Sequence, residues 1–338
     1  MQLREIEYLV AVKETGSLTA AANKMYVSQP ALSQAIKKLE WELGITILER
    51  SSNSIRLSDA GELLAQEGKK LLSMASDVIK KVQDESLVSQ KKLAIGITPL
   101  YGQAFFAEVY RDFMQQHPQT VMKIVESQAG AQEQLILDRT IDIGIFERPS
   151  ENPSIESIPI YDERMVLLVD DSNPINEFGF IDEETKMPFM PLERIKDVGF
   201  VGYRHDGRNG LSDKTRSICL EHGFLPNVVY ETSYSFIIRS VVSSGIGIGL
   251  TSYMSIYGLP LDSGSLKLRH YNVTGRAAER TYYCSYLKDS YLSSIASSFV
   301  DSCMKTHDNI VSRNPEMQFF IKCKGLDWSS SRIGKNRK

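Results

Sequence analysis

The apolar positions of the first ninety residues recur at helical spacing, broken at defined points. Leu3, Ile6, Leu9 and Val10 form the inner stripe of a helix that stops at Gly16. Ser17 or Thr19 can cap a second helix, whose Ala20, Ala21 and Ala22 allow a close helix crossing before it runs out at Met25-Tyr26-Val27. Ser28 caps a third helix with Pro30 in its first turn, where a missing N–H costs little. In that helix Leu32, Ala35, Ile36, Leu39 and Leu43 should face inward, which leaves Gln29, Ser33, Gln34, Lys37 and Lys38 outside. Gly44 ends it. Two short β-prone runs, Ile45 to Glu49 and Ser54 to Leu57, flank a turn at Arg50-Ser51-Ser52-Asn53. Ser58 then caps a long helix with Asp59 and Glu62 in its first turn. Leu64, Leu71, Met74, Val78 and Val82 mark one apolar stripe along it, over roughly 45 Å at helical rise. A long helix with one narrow stripe is usually half of a coiled-coil-like pair, so self-association through this helix is expected.

From Leu93 strands alternate with helices, the mark of parallel sheet in an α/β fold. The first series is a strand Leu93 to Ile97, a helix carrying Phe105, Phe106, Val109 and Phe113, a strand Val121 to Val125, a helix Gly130 to Thr140 and a strand Ile141 to Phe146. The order repeats as strand Gly199 to Tyr203, helix Leu211 to Gly223, strand Val228 to Tyr230, helix Phe236 to Ser244 and strand Ile246 to Thr251. Glu126 and Gly144 in the first series stand as far apart as Glu231 and Gly249 in the second. Two α/β subdomains of like build follow, joined by crossing segments near 147–160 and 257–268. Strands at Leu266 to Asn272 and Thr281 to Leu287 are expected to return to the first subdomain, and a helix Leu292 to Met304 to close it.

The polar positions left by this pattern carry the candidate chemistry. Gln and Ser on a helix face can hydrogen-bond base edges in a major groove, and lysines can reach phosphates. An ordinary amphipathic helix pair would show the same alternation. In the body, ligands of open α/β sheets bind beyond the carboxyl ends of the strands. Those ends supply Thr98, Pro99, Ser127, Gln128, Phe146, Tyr203, Thr232 and Ser233, a set of hydroxyls and helix N-termini suited to a small anion such as a carboxylate. Each Ser or Thr there would serve equally as a helix cap. Ile248 belongs to the run SGIGIGL, which precedes a strand and makes a poor nucleotide fingerprint. The charged loop Arg204 to Arg208 reads as solvated.

Composition narrows the classes. The 338 residues suit about two domains, and no apolar run reaches the ~18 residues of a membrane span. The amphipathic, charged start is no signal peptide, which points to the cytoplasm. Net charge is −3, unevenly spread. Residues 1–60 carry seven bases and seven acids, whereas 93–304 carry 18 bases and 27 acids. DNA affinity would therefore lean on base contacts and dimerisation. The four cysteines and five histidines show no metal-ligand spacing, and no cofactor is called for. No paired carboxylate, Cys–His or Ser–His arrangement suggests an enzyme. Residues 305–338 carry eight bases against three acids. SSSRIGKNRK within them reads as disordered, and Met317 to Ile321 as a segment able to dock.

Three blocks, LREIEYLVAVKETGSLTAAA, VSQPALSQAIKKLEWELGITILER and IRLSDAGELL, resemble the LysR-type transcriptional regulators in order and spacing. The resemblance implies a winged helix-turn-helix DNA-binding domain at 1–58, a linker and dimerisation helix at 59–88, and an effector-binding domain at 89–304. Subdomain I of that domain would comprise 92–146 and 266–304, and subdomain II 160–256, two Rossmann-like α/β halves resembling type 2 periplasmic binding proteins. The resemblance does not cover residues 305–338, which read as a basic, partly disordered extension. The implied DNA-binding set is Thr19, Ser28, Gln29, Ser33, Gln34, Lys37 and Lys38, with Arg50 and Arg56 on the wing. The cleft residues named above, with Ile248, would contact the effector. The implied partners are double-stranded DNA with a roughly palindromic promoter site, a small-molecule effector and further copies of the chain as homodimer or homotetramer, without a membrane. A small-molecule-binding or enzymatic α/β protein with a helical N-terminal module is the competing class; a constitutive, ligand-free DNA-binding protein is another.

Overall fold

A computed structural model of the chain describes residues 1–51, 54–85, 91–204, 211–257, 262–263 and 266–324. The sequence SLVSQKK at Ser86 to Lys92 has no periodicity and reads as a hinge; its residues 86–90, the tip of the wing turn at 52–53, most of the Arg204–Arg208 loop and the tail sequence SSSRIGKNRK lie outside the described residues, as does the side chain of Arg50. The chain divides into two units, Met1–Ser89 and Gln90–Lys338.

The first unit holds α1 (Leu3–Thr15), α2 (Leu18–Lys24), α3 (Gln29–Leu43), the hairpin β1 (Leu48–Ser51) and β2 (Ser54–Leu57), and α4 (Asp59–Glu85). Ser17 Oγ accepts from the N–H of Ala20, and Ser28 Oγ accepts from that of Ala31, so both serines cap. Gly44 takes φ +66° at the end of α3, a left-handed position where a side chain is strained. Tyr26 is also left-handed, at φ 54°, in the turn between α2 and α3. Ile6, Leu9, Val12, Leu32, Ile36, Leu39 and Ile47 form the core. Leu3 and Leu43, expected inside, are exposed, because each lies at a helix end where no neighbour covers it. Tyr8 and Val12 of α1, outside the expected stripe, are buried. The start of α4 packs on its own unit through Gly61, Ala65 and Gly68, and a Cβ on Gly61 would stand 2.4 Å from the Ile47 carbonyl oxygen. The stripe beyond it is exposed at Leu71, Met74, Val78 and Val82.

The second unit begins with β3 (Lys92–Ile97). Next comes a helical stretch of α5 (Pro99–Tyr101), a π-helical turn (Gly102–Phe106) and α6 (Ala107–Gln116). Then come β4 (Val121–Glu126), α7 (Ala129–Leu137), β5 (Ile143–Phe146) and the long β6 (Ile155–Asp170). After two short strands, β7 (Phe180–Ile181) and β8 (Pro188–Phe189), follow β9 (Gly199–Tyr203), α8 (Leu211–Glu221), β10 (Asn227–Thr232), α9 (Ser235–Ser243) and β11 (Ile248–Ser252). The chain then forms β12 (Asp262–Ser263), β13 (Leu266–Asn272), β14 (Glu279–Leu287), α10 (Ser294–Ser312), α11 (Pro315–Phe320) and β15 (Ile321–Cys323).

The doubling seen in the sequence is a doubling of topology. β3 pairs in parallel with β4 on one side and β5 on the other. β9 does the same with β10 and β11. Between the triplets run β6 and β14, antiparallel to each other, with β6 joining β11 and β14 joining β5. Strand β6 thus passes from one triplet's sheet into the other's near Glu163–Met165. The crossing strands differ in place from the expectation. β13 pairs with Val166–Asp170 of β6, in the sheet of the second triplet, so the return to the first triplet comes after Asn272. Long-range pairing decides this, and a local pattern carries no trace of it. None of the described helices is long and apolar enough to cross a membrane.

Candidate functional site

Helix α3 presents Gln34, Lys37 and Lys38 as exposed side chains, with Gln29 and Ser33 half-buried beside them. Thr19 on α2 and Ser28 at the start of α3 are exposed, and Ser28 also caps. The helix-to-helix turn is tight, as groove entry requires. Lys38 is not free. Its Nζ donates to Glu5 Oε1 at 2.9 Å and lies 3.6 Å from Glu42. The hydrogen bond from Lys38 holds the buried Glu5 carboxyl below its ordinary value, and Glu5 raises Lys38 in return. Part of the lysine's charge is thus committed inside the domain, which sequence spacing alone does not reveal. On the wing, Arg56 is exposed on β2 opposite Glu49, and Arg50 faces Ile55 in the strand register.

In the second unit a cavity of about 90 Å3 opens at the carboxyl ends of both strand triplets. Thr98, Pro99, Gln128, Tyr203 and Ser233 line it, as the strand-end rule leads one to expect. The first turns of α7 and α9 receive no side-chain cap from Gln128 or Tyr234, which leaves the N–H groups of their first two residues without an intrahelical partner, whereas α5 opens on Pro99, which has none to offer. The hydroxyl of Tyr203 is fixed by Ser235 at 2.7 Å and Thr251 at 2.8 Å. Burial pushes the Tyr203 phenol up, and Tyr282 likewise, so both stay protonated donors.

Four expected residues are not in the wall. Ile248 is fully buried against Phe200 and Leu250, because it opens β11 at the end away from the cleft. Phe146 is buried among Ile136, Ile141 and Ile155 under the first triplet. Thr232 is buried, and its hydroxyl accepts from the N–H of Tyr234, a structural turn. Ser127 stands beside the wall with its Oγ buried and unpartnered among the described residues.

The wall also holds residues the sequence reading missed, chiefly Glu147, Arg280 and Tyr282. Glu147 directly follows β5, so the same strand-end rule would have found it. Arg280 is nearly fully buried on β14, one residue before the strand was expected to begin. Its Nε donates to Glu163 Oε2 at 2.7 Å, and its Nη2 lies 2.6 Å from the same oxygen and donates to the Tyr282 hydroxyl at 3.2 Å. Glu163 Oε1 accepts from the Ser252 hydroxyl and from the Met254 N–H, which completes its shell. Burial works against the Arg280 charge, but the Glu163 carboxylate outweighs it and holds the group cationic. Nη1 of Arg280 is buried with no partner among the described residues.

The four cysteines are unpaired. Burial pushes Cys219, Cys303 and Cys323 up to about 12, so these thiols carry no thiolate chemistry at neutral pH.

Comparison with known proteins bears on both units. The family of bacterial regulatory helix-turn-helix proteins, lysR family, matches residues 3–62, and the LysR substrate binding domain matches residues 88–308. The transcriptional regulator YcgK of Bacillus subtilis (strain 168) is 26% identical over 310 residues, covering 89% of this chain and 93% of its own. The regulator YwbI of the same organism is 30% identical over 250 residues, 74% of this chain and 79% of its own. Among solved structures, a full-length OxyR variant from Pseudomonas aeruginosa superposes with a TM-score of 0.63 at 22% identity, covering 90% of this chain and 94% of that one, which speaks for the fold. With a helix-turn-helix unit matching one half of the family's architecture and an α/β unit matching the other, this chain belongs to the LysR family of DNA-binding transcriptional regulators, and is not an enzyme.

Proposed function

We propose that this regulator reads a split, roughly palindromic promoter site through two copies of α3, and that a small effector carrying a carboxylate controls it from the cleft. The observation that carries this reading is the cavity where the two strand triplets meet, walled by uncapped helix starts and an incompletely bonded arginine. A ligand seated there touches both triplets and so biases their closure. The exposed stripe of α4 offers the surface for a second copy, and the linker helix is the route from clamp to DNA spacing. Homodimers, assembled further as tetramers, are the working unit in this reading.

The test is a gel-shift titration of the full chain on the DNA upstream of its own gene, at near-physiological salt with excess competitor. A discrete shift that resists competitor is expected. Gln34→Ala should weaken it by roughly 5- to 150-fold through loss of a base-edge contact. Lys37→Ala should weaken specific and non-specific DNA alike and lower the salt slope by about one. An unchanged shift with Gln34→Ala removes the recognition-helix assignment. Absence of any enriched motif in a genome-wide selection removes the promoter reading.

A further inference from the structure

The charges around the cleft do not suit a simple anion. Arg280 is already matched by Glu163, at 2.7 and 2.6 Å. Glu147 adds a second carboxylate to the wall, and it makes no hydrogen bond or ion pair to another described residue. Among the described residues one arginine therefore stands against two carboxylates, and a monoanionic ligand would add a further negative charge to a small, partly buried space. Two groups nonetheless invite a partner of opposite kind. Among the described residues, the buried Arg280 Nη1 has no acceptor and the half-buried Glu147 carboxylate has no hydrogen-bond donor. Leaving the arginine nitrogen unsatisfied is costly, and one ligand bearing both an acceptor and a cationic donor serves both groups.

Size restricts the ligand further. A cavity of about 90 Å3 holds roughly six to nine water-sized groups, the size of an amino acid with a short side chain. We propose that the cleft binds a small zwitterion, an α-amino acid of glycine, alanine or serine size. Its carboxylate meets Arg280, and its ammonium meets Glu147. This rests on the cleft being the effector site and narrows what that effector is.

The experiment measures the thermal unfolding midpoint of the full chain against rising glycine, L-alanine, L-serine, propionate and ethylamine. At least one amino acid should bind about tenfold or more tightly than propionate and ethylamine, since only it satisfies both charged groups. In Glu147→Gln that preference over propionate should collapse, while the variant's own unliganded midpoint reports that it folds. Propionate binding as tightly as alanine overturns the zwitterion and leaves the cleft a carboxylate site. Ethylamine binding as tightly overturns it from the other pole. An amino acid whose binding is untouched by both Glu147→Gln and Thr98→Val sits elsewhere, and the cleft reading falls with the inference. No response to any of the three amino acids also overturns the inference, while the gel shift with Gln34→Ala still decides the DNA-reading face.

Discussion

His307, on α10, is fully buried against Tyr101, Phe105 and Tyr161, with Nε2 2.8 Å from the Tyr101 hydroxyl. Burial drives its pKa down from 6.5 to about 3, so the folded chain holds the neutral ring. The unfolded chain binds the proton more readily, so protonation favours unfolding. Stability is complete above pH 6.5 and is lost as pH falls from there toward 3, by up to about 1.4 kcal/mol per unit. Urea midpoints at pH 7, 6 and 5 should fall steeply for the native chain and less steeply for His307→Gln, whose amide still meets Tyr101. Parallel slopes would exonerate the histidine. The sequence shows five scattered histidines and nothing that marks this one, because its shift arises from rings distant in the chain. Arg280 was invisible for the same reason: its role depends on Glu163, 117 residues away. Thr98, Pro99, Gln128, Tyr203 and Ser233 were legible because a strand's carboxyl end is a local feature. Ile248, Phe146 and Thr232 show that local rule's limit, since which side chains face the cleft depends on how the strand is set into its sheet.

Among the elements, α4 carries an apolar stripe that no described residue of its own unit covers. Met74 is 68% exposed and Val82 65%, in a row with Leu71 and Val78 along one face. Such a row on one chain is stable in water only where something covers it, and a second copy presents an identical stripe for the purpose. Burying one such side chain contributes about 1.5–3 kcal/mol. Met74→Asp should therefore weaken self-association by roughly ten- to a hundredfold, read by sedimentation across a dilution series. The helix itself should persist, since Met74 makes no core contact in its own unit. Undiminished association would place the interface elsewhere. Helix and strand boundaries were largely legible, because caps such as Ser17 and Ser28 and periodic apolar positions are local signals. The partner of β13 was not. Its alternating sequence says strand, and only the sheet decides that Val166–Asp170 lies beside it.

At the scale of the whole effector unit, the end of the described chain is a strap across both strand triplets. The sequence led to a closing helix ending at Met304 and a basic tail with one run, Met317 to Ile321, able to dock; α10 runs on to Ser312, and the chain then turns back so that this run docks as α11 and the start of β15. β15 pairs with Tyr161–Glu163, the stretch where β6 leaves one triplet's sheet for the other. Lys324 bonds Asp162 on that stretch. Phe320 stacks on Tyr253, just beyond β11, with ring centroids 4.2 Å apart, and Glu316 meets His270 on β13 at 2.7 Å. Meanwhile α10 packs with Phe299 edge-on to Phe113 of α6. The five residues MQFFI mark a segment able to dock, but so short a run, flanked by charge, does not say where. Removing the Phe320 ring opens a cavity where the two triplets are tied, and a fully buried Phe→Ala change costs about 3–5 kcal/mol. Urea unfolding of Phe320→Ala should show that loss, whereas Lys322→Ala, exposed on the same strand, should stay within about 0.5 kcal/mol. A small effect from Phe320→Ala would mean that the strap lies on the fold without holding it. A large one would place the restraint on clamp motion at the strand that every closing movement has to bend.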